Sequence, residues 1–143
     1  SDICNGTYSE LLCVFKIKKI FLHILVLTLI CYSCSDRELG DGYYFLPKYE
    51  SIDVGYPEGE AIIYKSNQEY SFDEIKISGD VLEVASNSKF IIAKRDPLVS
   101  MDINSGDIEY YIIEKKIDKV LGPLTKDDFT NKIELLEIKL EFE

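Results

Sequence analysis

Only a few side chains in this sequence stand at spacings that suit chemistry. Asp73, Glu74, Glu109 and Glu114 are carboxylates that could pair across strands. Two carboxylates facing each other across neighbouring strands would make an acid and base pair of the kind that cleaves glycosides. Solvated acidic faces carry the same residues, and a catalytic role is assigned to none of them. Asp102-Ile103-Asn104-Ser105-Gly106-Asp107 alternates oxygen-bearing side chains as a calcium loop does, but its glycine is out of place and Ile113 stands where the twelfth-position Glu belongs. It reads as a hairpin turn. Tyr43, Tyr44, Tyr49 and Tyr56, near Pro47 and Pro57, form the candidate binding surface, since tyrosine suits exposed contacts with sugars and peptides. With no tryptophan in the chain, such rings more often fill a core. Two of the four cysteines, Cys31 and Cys34, stand close together, and their surroundings decide their chemistry.

Those surroundings have the layout of a secretory signal. Lys16, Lys18 and Lys19 make a basic cluster, Ile20 to Ile30 an apolar run broken only by His23 and Thr28, and Ser33 supplies a small residue before Cys34. Lysines hold their end in the cytoplasm. An apolar run this short does not comfortably cross a hydrocarbon layer that takes about 20 residues, so cleavage is expected instead of permanent anchoring. The segment Leu29-Ile30-Cys31-Tyr32-Ser33-Cys34-Ser35-Asp36 resembles the lipobox of bacterial lipoproteins, in the loose form ending Ser-Cys-Ser-Asp that is common in the Bacteroidetes. The resemblance implies acylation of Cys34, with palmitate-type chains, after cleavage before it. Cys31 is excluded by bulky Ile30, although it occupies a place where the family usually has Leu.

These readings divide the chain. Residues 1–13 are expected to be an over-extended leader, with translation starting at Val14. Residues 14–33 form the signal peptide, 34–42 a polar tether, and 43–143 a single domain. Three lysines and two acids precede Cys34, so the mature chain holds 13 basic and 24 acidic residues and a formal balance of −11. Such a field disfavours nucleic acid and anionic headgroups and favours basic partners. Membrane attachment is therefore expected from lipid, and stable attachment takes more than one acyl chain. Ser35, in place of the Asp that retains lipoproteins in the inner membrane, implies the outer membrane. Ser35-Asp36-Arg37-Glu38 resembles the acidic export signal of surface-exposed Bacteroidetes lipoproteins, which leaves both the periplasmic and the outward face open.

After Cys34 there is no cysteine, histidine or tryptophan. Disulfides, cysteine nucleophiles, histidine triads and histidine-based metal sites are thereby removed, and no Gly-rich phosphate loop appears. The chain is read as a non-enzyme without a cofactor. Strand-like runs at Tyr43–Leu46, Ala61–Lys65, Val81–Ala85, Phe90–Lys94, Val99–Ile103 and Ile108–Lys115 are separated by turn-forming residues. Thr125 suits a helix cap, Asp127 and Asp128 its first turn, and Phe129, Ile133 and Leu136 one face. Ile138, Leu140 and Phe142 alternate as a last short strand would. The fold class is α+β, a compact, mostly antiparallel β-sheet domain with one C-terminal helix. Tyr110-Tyr111-Ile112-Ile113, followed by Gly122-Pro123-Leu124-Thr125 and Phe129, resembles the ending of short uncharacterised bacterial lipoproteins, with Gly122-Pro123 ending the strand. The resemblance implies a shared fold and a membrane address, and no activity. The functional expectation is a lipid-anchored interaction module of the cell envelope, with an envelope protein or glycan as partner. The alternative is an acidic inhibitor or immunity protein that covers a basic toxin or muramidase.

Overall fold

The computed structural model describes residues 11–22, 38–56 and 59–143. The chain divides into two units, Ser1–Asp36 and Arg37–Glu143. In the first, residues 11–22 form helix α1, which carries Lys16, Lys18 and Lys19. Among the described residues no helix is long and apolar enough to cross a membrane. The expected cleavage site and Cys34 lie outside the described residues.

The central strands of the second unit hold consecutive apolar residues, and burial on both faces explains why. Strands β1 (Glu38–Gly40), β2 (Tyr43–Leu46), β3 (Ile62–Lys65) and β4 (Glu74–Ile77) form one antiparallel sheet in that order. Strands β5 (Asp80–Ser86), β6 (Phe90–Asp96), β9 (Glu109–Glu114) and β10 (Lys119–Leu124) form the other, in the order β10-β9-β6-β5. Side chains alternate between faces with period two. Tyr43 and Ile63 from the first sheet therefore meet Ile91, Ala93, Tyr111 and Ile113 from the second in one core between the sheets. Their neighbours point the other way: Leu46, Ile62 and Tyr64 pack with Val54, Tyr56 and Phe72, while Ile92 and Ile112 pack beneath Phe129, Ile133 and Leu136. A strand buried on both faces reads as an unbroken apolar run. Each fully buried large aliphatic side chain contributes about 1.5–3 kcal/mol.

Helix α3 (Lys126–Leu135) covers the outer face of the second sheet. Thr125 Oγ1 accepts from the Asp128 amide at 3.2 Å, and Asp127 and Asp128 face the positive end of the helix dipole. Its far end closes without glycine: Glu137 adopts φ 52°, and the Ile138 and Glu137 amides donate to the carbonyls of Ile133 and Glu134. That closure turns Ile138 into the core, where it is buried. Replacing the cap, Thr125→Ala, should cost about 0.5–2 kcal/mol in a urea titration. An unchanged midpoint would mean that packing of Phe129, Ile133 and Leu136 holds the helix without the cap.

The expected strands 43–46, 61–65, 81–85, 90–94 and 108–115 are all present within a residue or two. Four local expectations are corrected. Val99–Ile103 is not one strand but a hairpin, β7 (Leu98–Ser100) and β8 (Ile103–Asn104), because Met101 and Asp102 turn the chain, with Asp102 at φ 62°. Gly122-Pro123 does not end a strand, since β10 continues through it with a register shift. Ile138, Leu140 and Phe142 make no strand, yet their alternation is real, because all three pack against the helix side of the second sheet. The stretch 34–42 is not tether throughout, because Glu38–Gly40 pairs with β2 and Leu39 is buried.

Candidate functional site

The four tyrosines do not form one surface. Tyr43 is wholly buried, Tyr44 stacks on Tyr64 with ring centres 5.3 Å apart, and Tyr56 meets Phe72 edge-on at 5.1 Å. Only Tyr49, on helix α2 (Lys48–Ser51), is widely exposed, at 75%. The rings were drawn inward by strand alternation, which puts Tyr43 and Tyr44 on opposite faces of β2 and buries both faces.

Tyr43 instead anchors a polar cluster at the end of the domain formed by Lys65, Glu74 and the 3-10 turn Lys115–Ile117. Its hydroxyl donates to Asp118, which also receives Lys76 Nζ at 2.9 Å and Lys65 Nζ at 3.4 Å. Partial burial opposes ionisation of Asp118, but hydrogen bonds from Tyr43, Lys76 and Lys65 outweigh it and hold the carboxyl at about 2. Burial first, and then the bond to Asp118, pushes the Tyr43 phenol above its usual range. The cluster ties the first sheet to the β9–β10 connection. A carboxyl whose folded value lies below its ordinary 3.8 stabilises the fold above that value and loses the contribution as pH falls toward about 2. Asp118→Asn should therefore remove part of the acid sensitivity between those limits, read from urea midpoints at neutral pH and at pH 3. Identical acid sensitivity in the two proteins would contradict this role.

The carboxylates considered for acid and base work are held by local partners. Glu74 pairs with Lys76, Asp73 accepts from Ser66 at 2.9 Å and Ser71 at 3.0 Å, and Glu109 accepts from the Tyr111 hydroxyl at 2.9 Å beside Arg95. Glu114 ends β9 opposite Phe90 and Lys119. Among the described residues no group of three or more His, Cys, Asp or Glu is arranged to hold a metal.

The other end of the domain gathers several exposed apolar side chains, while Ile117, Leu135 and Leu82 are exposed singly elsewhere. Val99, Met101 and Ile103 on the β7–β8 hairpin are 65%, 88% and 57% exposed, and Ile52, just after α2, is 75% exposed. A lone two-stranded hairpin is marginal in water, so something must hold it. Its base is clamped by Asp96, whose Oδ1 accepts from the Gly106 amide at 2.8 Å and Ser105 Oγ at 3.0 Å, while Asn104 Nδ2 donates to the Asp96 carbonyl at 2.9 Å. Buried Asp80 joins the parts: it accepts from Asn104 Nδ2 at 3.0 Å and from Lys48 Nζ at 3.3 Å, and Lys48 also lies 3.9 Å from Asp102. The stretch weighed as a calcium loop is thus a fixed platform for apolar tip residues. The sequence signal was present in Asp96-Pro97 and Asn104-Ser105-Gly106, residues that turn chains, but nothing in the pattern set the exposure of Val99, Met101 and Ile103.

No curated protein and no solved structure matches this chain. The family model described as Protein of unknown function (DUF3997) matches residues 47–143, from the start of α2 through the C-terminal segment. Since that match covers well over half of the sequence, the chain belongs to the DUF3997 family.

Proposed function

We propose that this protein is a lipid-anchored, non-catalytic interaction module of the bacterial cell envelope, held in the outer membrane by acyl chains on Cys34. The observation that carries the proposal is where the compact unit begins. It starts at Arg37, three residues beyond the cysteine of the lipobox-like segment, so cleavage before Cys34 would release the complete domain. An apolar run too short for comfortable spanning, the basic cluster before it and Ser35 after it support the same address. Binding in place of catalysis is supported by the chemistry left in the mature chain, which has neither histidine nor cysteine beyond Cys34.

Fractionating cells that carry Cys34→Ala tests the address. Nearly all of the protein should leave the membrane fraction or stall as uncleaved precursor, whereas Cys31→Ala should change little. Equal loss in both variants would overturn the assignment of the anchor. The acidic balance of −11 favours a second reading, an inhibitor or immunity protein that covers a basic toxin through charge steering. Capture of a basic partner that weakens steeply with salt would favour that reading over a glycan or neutral envelope protein.

A further inference from the structure

We infer that the α2 and β7–β8 end of the domain is a membrane-facing surface, with the hairpin tip seated in the lipid interface beside the anchor. This rests on the proposed acylation of Cys34. The direction of β1 carries the inference. Glu38 pairs opposite Tyr44 and Gly40 opposite Tyr43, so the first residue of β1 lies toward the Leu46 and α2 end of the sheet. Leu46 pairs with Ile62, and Ala61 accepts the Val81 amide next to Asp80, whose strand partner Asp96 leads directly into the hairpin. The anchored end of β1, α2 and the hairpin therefore share one end of the domain. The polar cluster of Tyr43 and Asp118 and the turn at Asn87–Lys89 occupy the opposite end.

Length turns this shared end into a constraint. Cys34 stands four residues before Glu38, and four residues fully extended reach at most about 14 Å. A domain tethered so closely meets the bilayer with the end from which its tether leaves. That end is where Met101, Val99, Ile103, Ile52 and Tyr49 are exposed, the aliphatic and tyrosine mixture that suits a boundary between water and hydrocarbon. Tethering also raises the local concentration of lipid, so a contact too weak to recruit the domain by itself still orients it. Asp53 and Asp102 accompany Lys48 at this end. The favoured headgroups are therefore zwitterionic and not anionic.

The mature chain has no thiol apart from the acylated Cys34, so Met101→Cys and Lys89→Cys each introduce a single labelling site. The lipidated protein, labelled with an environment-sensitive fluorophore and reconstituted into phosphatidylcholine vesicles, should show a blue shift and quenching by nitroxide lipids at position 101. Neither effect should appear at position 89. Equal exposure of both labels to water, with the protein still bound through its acyl chains, overturns the membrane-facing surface and leaves the anchor intact. A label at position 101 that is shielded in intact cells but not in vesicles assigns this surface to a protein partner instead, and also overturns the inference. Absence of acyl mass on Cys34, measured separately, would remove the proposed address and this inference together.

Discussion

Gly122→Ala is expected to destabilise the domain by about 3 kcal/mol or more, a large share of the roughly 5–15 kcal/mol that holds an ordinary domain together. Gly122 has φ 147°, a conformation that L side chains rarely adopt. A Cβ there would lie 2.4 Å from Tyr111 Cδ1 and 2.9 Å from the Tyr110 carbonyl oxygen. The ring of Tyr111 is fixed in the core between the sheets, and the carbonyl belongs to β9, so neither gives way cheaply. Displacing β10 would also disturb Leu121 and Leu124, part of the floor on which Phe129 and helix α3 rest. Gly55→Ala is the control: φ there is 77°, but no atom lies within 4 Å of the added methyl group. It should lose only the backbone penalty, of order 1 kcal/mol. Similar urea midpoints for the two variants would contradict the packing of β10 against Tyr111.

Ile63→Ala should cost about 2–5 kcal/mol, the range for truncating a large aliphatic side chain in a core that cannot collapse around the gap. Ile63 is completely buried on β3, facing Ile91, Ala93 and Ile113 of the other sheet's core positions. Leu82→Ala, at the 48% accessible position of β5, should shift the midpoint far less. Comparable losses would mean that the two sheets do not share the core described.

Much of this architecture was legible because strands buried on both faces read as unbroken apolar runs bounded by turn residues. The runs Tyr43–Leu46, Phe90–Lys94 and Ile108–Lys115 announced strands through β-branched and aromatic residues, and Thr125 with Asp127 and Asp128 announced the helix. What escaped has physical causes. β4 mixes charged with apolar residues as Glu74-Ile75-Lys76-Ile77, and its place is set by pairing with β3. Asp118, at φ 51° with two lysines and Tyr43 around it, draws on residues up to 75 positions apart, which local spacing does not reveal. The tyrosine surface failed for the same reason, since tertiary burial decided which rings faced water. Exposure at the hairpin tip depends on Asp80 and Asp96, which hold its base through contacts that local spacing does not encode. The proposed role of Cys34 rests on its sequence neighbours alone, because a lipobox is a local pattern that owes nothing to the packing of the domain.

The anchor is tested most directly by the intact mass of the protein extracted with detergent from membranes of its native cells. A chain beginning at Cys34, 110 residues long and carrying the added mass of two or three acyl groups, is the predicted result. A chain that retains residues ahead of Cys34, with no acyl mass on that cysteine, would contradict it.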